Sequence, residues 1–207
     1  HITCARITPD GKFLTASDVG LDQVKLYGFD AKTGAIKLVD ILRCELESSP
    51  RSMIFSPDGR FAYLICQLKN CVNVYTYNSD DGMPHFEMIQ QISTLGKSYN
   101  DKSAVAAIKQ SVDGKYIFCS NAGDNSIAFF VRDEKTGMLT KNCVLPISGD
   151  YPKNMCIFPD NKHIASLNHE SNEITFFTID YENGLLIQHG KPMQVETPNC
   201  AVIKKLS

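Results

Sequence analysis

Two sets of side chains stand at fixed distances from four repeated aspartates and could together bind an anionic ligand and activate water. The aspartates are Asp10, Asp58, Asp113 and Asp160. Seven residues before them stand Thr3, Arg51, Ala106 and Lys153, which form the first set. Nine residues after them stand Val19, Gln67, Ala122 and His169, which form the second set together with their preceding neighbours Asp18, Cys66, Asn121 and Asn168.

The cations of the first set suit an anionic ligand. The planar guanidinium of Arg51 can hold a carboxylate, a phosphate or a developing oxyanion in bidentate fashion. Lys153 occupies the same place in the fourth repeat and could hold a second anionic group. The alternatives are a structural ion pair for Arg51 and a solvated side chain for Lys153.

The second set supplies candidates for orienting water and substrate. His169 is its titratable side chain, and the amides of Gln67, Asn121 and Asn168 are candidate substrate-binding groups. Asp18 is the only carboxylate in either set, so it is the obvious candidate for a base on this face. A surface or hydrogen-bonding role for His169 and a turn-capping role for Asp18 are the alternatives.

Four copies of one unit must position these residues. Twelve residues after the four aspartates stand Asp22, Asn70, Asn125 and Asn172, and after twenty-four stand Gly34, Gly82, Gly137 and Gly184. Three markers at constant offsets in four copies indicate an internal repeat. The period is 48, then 55, then 47 residues, which places an insertion around residues 95–103.

Each copy has the alternating Val, Ile, Phe and Tyr pattern of short strands. In the second copy the strands are predicted at 51–56, 61–66, 71–77 and 86–93. Four short antiparallel strands in a unit of about 40 to 50 residues are typical of a β-propeller blade, with a β-solenoid as the main competitor. The predicted fold is therefore all-β, a propeller of four-stranded antiparallel blades at about 1–48, 49–96, 103–149 and 150–196, with a closing strand at 198–206.

Three segments resemble the lactonase family of seven-bladed propellers. They are residues 49–63, Ser-Pro-Arg-Ser-Met-Ile-Phe-Ser-Pro-Asp-Gly-Arg-Phe-Ala-Tyr; residues 168–172, Asn-His-Glu-Ser-Asn; and residues 18–22, Asp-Val-Gly-Leu-Asp. The family includes the bacterial propeller-type 6-phosphogluconolactonase and is related to the fungal 3-carboxy-cis,cis-muconate lactonizing enzyme. The resemblance covers essentially all 207 residues as the C-terminal four blades and the closing strand. It implies that roughly three N-terminal blades, about 140 residues, are absent from this chain.

The resemblance implies an activity, the opening of a sugar lactone such as 6-phosphogluconolactone by water, without a metal or another cofactor. Such a reaction needs a base or polarising group for the water and a donor for the oxyanion. An arginine that the family is proposed to use in catalysis matches Arg51. The family's histidine falls at Thr3, with His1 as the nearest histidine; its glutamate falls at Gln67 and its second arginine at Ala122.

These departures keep two other functions open. An amide cannot serve as a base, and alanine cannot stabilise charge. The chain is therefore also consistent with a non-catalytic propeller that binds a sugar acid or a protein partner. A cycloisomerase like the fungal enzyme is the third alternative.

The composition of the chain argues against some classes of binding partner. The chain has 21 Lys and Arg against 23 Asp and Glu, a formal charge of −2, and no block of like charges. This balance argues against a nucleic-acid partner or a membrane surface. The small-molecule partner, a lactone or a sugar acid, is what the resemblance implies. The histidines lack a metal-site spacing, and the eight cysteines contain no Cys-x-x-Cys pair, so we expect no metal and buried free thiols in a reducing cytoplasm. The oligomeric state stays open: further blades could accompany these four, the four could close on themselves, or strand edges could pair between chains.

Overall fold

A computed structural model describes residues 1–203, which form seventeen β-strands in four antiparallel sheets. The first sheet contains β1 (Ile2–Ile7), β2 (Phe13–Asp18), β3 (Gln23–Phe29) and β4 (Ile36–Arg43). The second contains β5 (Pro50–Phe55), β6 (Phe61–Cys66), β7 (Cys71–Asn78) and β8 (His85–Ser93). In both sheets the strands follow one another in chain order.

The third and fourth sheets repeat this arrangement. The third contains β9 (Val105–Gln110), β10 (Tyr116–Asn121), β11 (Ser126–Arg132) and β12 (Leu139–Pro146). The fourth contains β13 (Pro152–Ile157), β14 (His163–Asn168), β15 (Glu173–Asp180) and β16 (Leu185–Gln188), with the short β17 (Met193–Gln194) also paired to β15. The all-β prediction is confirmed, and in the second sheet every predicted strand end lies within one residue of the observed one.

The first compact unit comprises residues 1–93 and 134–138. Its core lies between the first two sheets and includes Val24, Leu26, Met53 and Leu64, each at most 1% exposed. The turn 134–138 packs into the same unit, where the Tyr63 hydroxyl donates to the Gly137 carbonyl at 2.9 Å.

The second unit comprises residues 94–133 and the remaining described chain from 139. Its core lies between the third and fourth sheets. Phe118 and Phe129 stack at 4.8 Å between ring centroids, and Met155 and Ile164 are fully buried beside them. Burial of such large apolar side chains supplies the main stabilisation of a sheet pair.

The repeated turn residues share one backbone property. Asp22, Asn70, Asn125 and Asn172 all have a φ between 49° and 54°. Asn and Asp are the non-glycine residues that tolerate this left-handed region best, because their short polar side chains can bond to the nearby backbone. Gly34, Gly82, Gly137 and Gly184, with φ from 66° to 85°, mark the turn between the third and fourth strands. The repeat seen in the sequence is therefore a repeat of backbone conformation.

Asp22 and Asn125 anchor the segment that leads from their own sheet into the next one. The Asp22 carboxylate accepts hydrogen bonds from the N–H groups of Glu47 and Ser49, at 2.8 Å and 2.7 Å. Asn125 accepts from the N–H of Tyr151 in the same way, at 2.8 Å. Each anchored segment ends directly before the proline that begins a first strand.

The segment after the fourth sheet is anchored in the same way. Asn172 accepts from the N–H of Thr197 at 2.8 Å, and the carbonyls of Asn199 and Ala201 accept hydrogen bonds from side chains of β13. Residues 198–203 have no assigned strand, and residues 204–206 of the predicted closing strand lie outside the described residues. Residues 1–203 contain no helix that is long and apolar enough to cross a membrane.

Candidate functional site

In every sheet, the segment entering the first strand lies against the hairpin between the second and third strands. The N–H groups of Val19, Gln67, Ala122 and His169 donate to the carbonyls of His1, Ser49, Ala104 and Tyr151, at 2.9 to 3.0 Å. Within each sheet, the two sets of candidate residues therefore lie at the same end.

A β-bulge lies at every position of the first set. The register shifts at Ile2/Cys4, Pro50/Ser52, Ser120/Asn121 and Pro152/Asn154, so the extra residues are Thr3, Arg51, Ala106 and Lys153. A bulge re-aims the extra side chain out of the regular alternation of its strand. Arg51 and Lys153 are thus the extra residues of equivalent β-bulges in the second and fourth sheets.

Arg51 and Gln67 come together in the first unit. The guanidinium Nη1 of Arg51 donates to Oε1 of Gln67 at 2.7 Å, and both side chains are half-buried. The backbone is also held, because the Thr3 hydroxyl donates to the Arg51 carbonyl at 2.7 Å. Gln67 is neutral, so this hydrogen bond orients the guanidinium without neutralising its charge.

Asp18 lies at the equivalent hairpin of the first sheet, only 3% exposed. Its carboxylate contacts the backbone nitrogen of His1 at 2.7 Å, the Lys25 ammonium at 3.2 Å and the N–H of Gly20 at 3.2 Å. These contacts hold the carboxylate at the hairpin, and they favour the anchoring role of Asp18 over the catalytic one.

The catalytic role of the His1 imidazole stays a prediction, since the contact with Asp18 is made by the backbone nitrogen of His1.

Lys153 and His169 lie on adjacent segments in the second unit, and both are half-buried. The His169 N–H binds the Tyr151 carbonyl at 2.9 Å, and the two rings lie 6.3 Å apart between centroids. Tyr151 has a φ of 60°, which is unfavourable for a bulky side chain, and it is 37% exposed.

Tyr151 was not among the candidate residues predicted from the sequence. Its place directly before a proline could have drawn attention to it, because Ser49 and Thr197 also precede prolines and also have positive φ.

Asn168 and Asn121, predicted to bind substrate, make structural hydrogen bonds. Both side chains are fully buried. The Asn168 amide donates to the Ser148 carbonyl at 2.9 Å and to the Thr175 hydroxyl at 3.1 Å. Asn121 likewise donates to the carbonyl of Thr94 at 3.0 Å. The last residue of the second strand thus binds the backbone of the preceding loop in both sheets, which favours a structural role for the two amides.

Other features of the described chain lie away from these residues. An open groove of about 680 Å³ in the first unit is lined by Asp10, Asp58, Phe61, Tyr77 and neighbours. It lies at the strand ends opposite Arg51. Residues 1–203 hold no group of three or more His, Cys, Asp or Glu side chains arranged to bind a metal.

Four-stranded antiparallel meanders that repeat along the chain are typical of a β-propeller. The family described as "Lactonase, 7-bladed beta-propeller" matches residues 1–203. The chain therefore belongs to the lactonase family, and the predicted resemblance and fold class are confirmed.

Individual relatives give the same result. The chain is 28% identical over 200 residues to the 6-phosphogluconolactonase of Bacillus subtilis, covering 97% of this chain and 56% of that protein. The structure of a periplasmic gluconolactonase from Pseudomonas aeruginosa matches with a TM-score of 0.88 and 26% identity, covering 97% of this chain and 56% of that one. A protein from Lactobacillus plantarum matches with a TM-score of 0.87 and 28% identity, over 95% and 56% of the two chains. The chain thus spans little more than half the length of these relatives.

Proposed function

We propose that the whole protein opens a sugar lactone by water, with an anionic sugar lactone such as 6-phosphogluconolactone as its substrate and a role in carbohydrate metabolism. The observation that carries this proposal is Arg51, a bulge residue whose guanidinium is oriented by neutral Gln67. Membership of the lactonase family and the name of the Bacillus subtilis relative support the choice of reaction.

The chemistry assigned to Arg51 is electrostatic. Addition of water to the lactone carbonyl gives a tetrahedral intermediate with a negative oxygen, and ring opening then gives a hydroxy acid. An oriented guanidinium can stabilise that oxygen, or hold a phosphate or carboxylate of the substrate, through two parallel N–H donors. Gln67 cannot accept the proton of the water as a carboxylate would, so its role here is to position Arg51.

A non-catalytic propeller is the second candidate. It is favoured by Ala122, which is only 2% exposed and carries no charge at a position where the family resemblance implies an arginine. In this case a sugar acid would bind beside Arg51 without being turned over.

One experiment separates the two functions. The whole encoded protein is mixed with 6-phosphogluconolactone and with unphosphorylated gluconolactone, and acid release is compared with the uncatalysed rate. The hydrolase proposal predicts faster hydrolysis, with the phosphorylated lactone preferred. Thermal stabilisation by 6-phosphogluconate without hydrolysis of either lactone would instead establish the binding function, and neither effect would contradict both.

The cellular location is also a proposal. The free cysteines favour the cytoplasm. The Pseudomonas aeruginosa relative is periplasmic, so fractionation of cells that express the whole gene is the direct test.

A further inference from the structure

The hairpin that carries Gln67 is closed by two cysteines. Cys66 ends β6 and Cys71 begins β7, and the two residues lie directly opposite one another in the ladder. Both are buried. Residues 67–70 form the loop between them, so a bond between the two sulfurs would close a small covalent ring that contains Gln67.

A third side chain connects both sulfurs. The Asn73 amide nitrogen donates to Cys66 Sγ at 3.5 Å, and Cys71 Sγ donates to the Asn73 oxygen at 3.7 Å. The other three sheets place no thiol pair here: their equivalent residues are Asp18 and Gln23, Asn121 and Ser126, and Asn168 and Glu173. The pair is therefore a property of the second sheet and is not required by the blade.

A cavity gives small molecules a route towards this pair. It has a volume of about 460 Å³ and is lined in part by Cys44, Asn73, Tyr75 and Gln91. Asn73 lies at its wall and contacts both sulfurs, so a small oxidant in the cavity is separated from them by one side chain.

The interaction of the two thiols affects their acidity in opposite directions. Interaction with Cys71, together with burial, raises the pKa of Cys66, whereas interaction with Cys66 lowers the pKa of Cys71. Cys44 lines the cavity directly, but burial raises its pKa to about 11. The more accessible thiol is thus the less reactive one.

We propose that Cys66 and Cys71 form a peroxide-reactive dithiol, which a hydroperoxide converts to a disulfide at the base of the hairpin that carries Gln67. The Cys71 thiolate attacks the peroxide; the S–O bond forms, the O–O bond breaks, and the leaving oxygen takes a proton to become water or an alcohol. Cys66 then attacks the Cys71 sulfur; the S–S bond forms, the S–O bond breaks, and hydroxide leaves and is protonated. The two thiols are oxidised and one hydroperoxide is reduced.

The disulfide would act on the candidate site through the hairpin. Gln67 directly follows Cys66 and orients Arg51 at 2.7 Å, so drawing the two strand ends together shifts the group that holds the guanidinium. This consequence for activity rests on the proposed function, whereas formation of the disulfide does not.

The test uses the whole protein with Cys200, the exposed cysteine, replaced by Ser to suppress links between molecules. After treatment with limiting hydrogen peroxide, peptide mapping should find the Cys66–Cys71 disulfide, with the mass of two hydrogen atoms lost and restored by a dithiol reductant. Cys71 should react about tenfold faster than Cys44. Predominant oxidation of Cys44, or overoxidation of Cys71 without a link to Cys66, would overturn the proposal.

Two variants complete the test. The double variant Cys66→Asn with Cys71→Ser copies the Asn121 and Ser126 pair of the third sheet, which is joined by a hydrogen bond of 3.0 Å. It should lose the peroxide-induced mass change, while Cys44→Ser should keep it. If the disulfide forms in a protein without lactonase activity, the dithiol stands and only the proposed function fails.

Discussion

The guanidinium Nη1 of Arg51 lies 2.7 Å from the amide oxygen of Gln67, across the bulge at the start of the second sheet. The contact joins the two candidate positions that the sequence had separated by sixteen residues. The hydrogen bond orients the guanidinium, and the neutral amide of Gln67 adds no countercharge to it.

Removal of the Gln67 amide should therefore weaken substrate binding. Gln67→Leu loses the hydrogen bond to the guanidinium, a loss of about 1.5 kcal/mol, and we expect KM for the anionic lactone to rise about tenfold. Gln67→Glu is a second test: it keeps the hydrogen bond but places a negative charge beside Arg51, so it should also raise KM for the anionic lactone. Unchanged KM values in steady-state kinetics of both variants would show that Gln67 does not position Arg51.

The segment before Arg51 should depend on Asp22. Its carboxylate binds the N–H groups of Glu47 and Ser49, two residues before Arg51. Asp22→Ala removes both acceptors and should lower the free energy of unfolding by about 2 kcal/mol. Asp22→Asn should cost much less, because Asn125 and Asn172 serve the same anchor in the other unit. Urea unfolding of the two variants measures the difference, and equal losses would contradict the anchoring role.

Asn168 provides a test of a structural against a ligand-binding role. Because its buried amide binds the Ser148 carbonyl and the Thr175 hydroxyl, Asn168→Ala should destabilise the protein by about 2 kcal/mol. At a temperature where the variant is folded, its KM should be unchanged. A raised KM without loss of thermal stability would restore the substrate-binding assignment.

Asp10 should make stability depend on acid pH. Partial burial opposes its ionisation, but hydrogen bonds from Ser79, Thr8, the Lys12 N–H and Tyr77 prevail and lower the pKa of Asp10 from 3.8 to about 2. Because the folded pKa is the lower one, this stabilisation is complete above about pH 4 and is lost as the pH falls towards 2.

The contribution of Asp10 should be about 1 kcal/mol, after allowance for screening of an exposed carboxylate. Asp10→Asn should remove it at pH 7 and reduce the loss of stability between pH 4 and pH 2. Urea unfolding at the three pH values gives the comparison, with Lys12→Ala as a control that keeps the backbone donor. Identical pH profiles for the wild type and Asp10→Asn would contradict the assignment.

The backbone of the fold was largely predictable because its turns need particular residues. Only Gly, Asn and Asp adopt positive φ easily, so Asp22 and Gly34 with their counterparts reveal the period of the repeat. Alternating apolar residues then locate the strands, as in the second sheet.

The candidate site was less predictable. A bulge such as that at Arg51 carries no residue signature, since any side chain can occupy the extra position. Burial of Asn168 could not be foreseen either, because an amide at a strand end suits a loop or a packed hydrogen-bond network equally well. Arg51 and Gln67 were found because the repeat places them at equivalent loops, and their contact emerges only from the structure.

The most direct test of the proposed function is the effect of Arg51 on catalysis. We predict that Arg51→Ala in the whole protein lowers kcat/KM for 6-phosphogluconolactone by about a hundredfold, with little change in thermal stability. Arg51→Lys should recover only part of this loss, because an ammonium lacks the bidentate fork. Hydrolysis by Arg51→Ala at the wild-type rate would contradict the central claim.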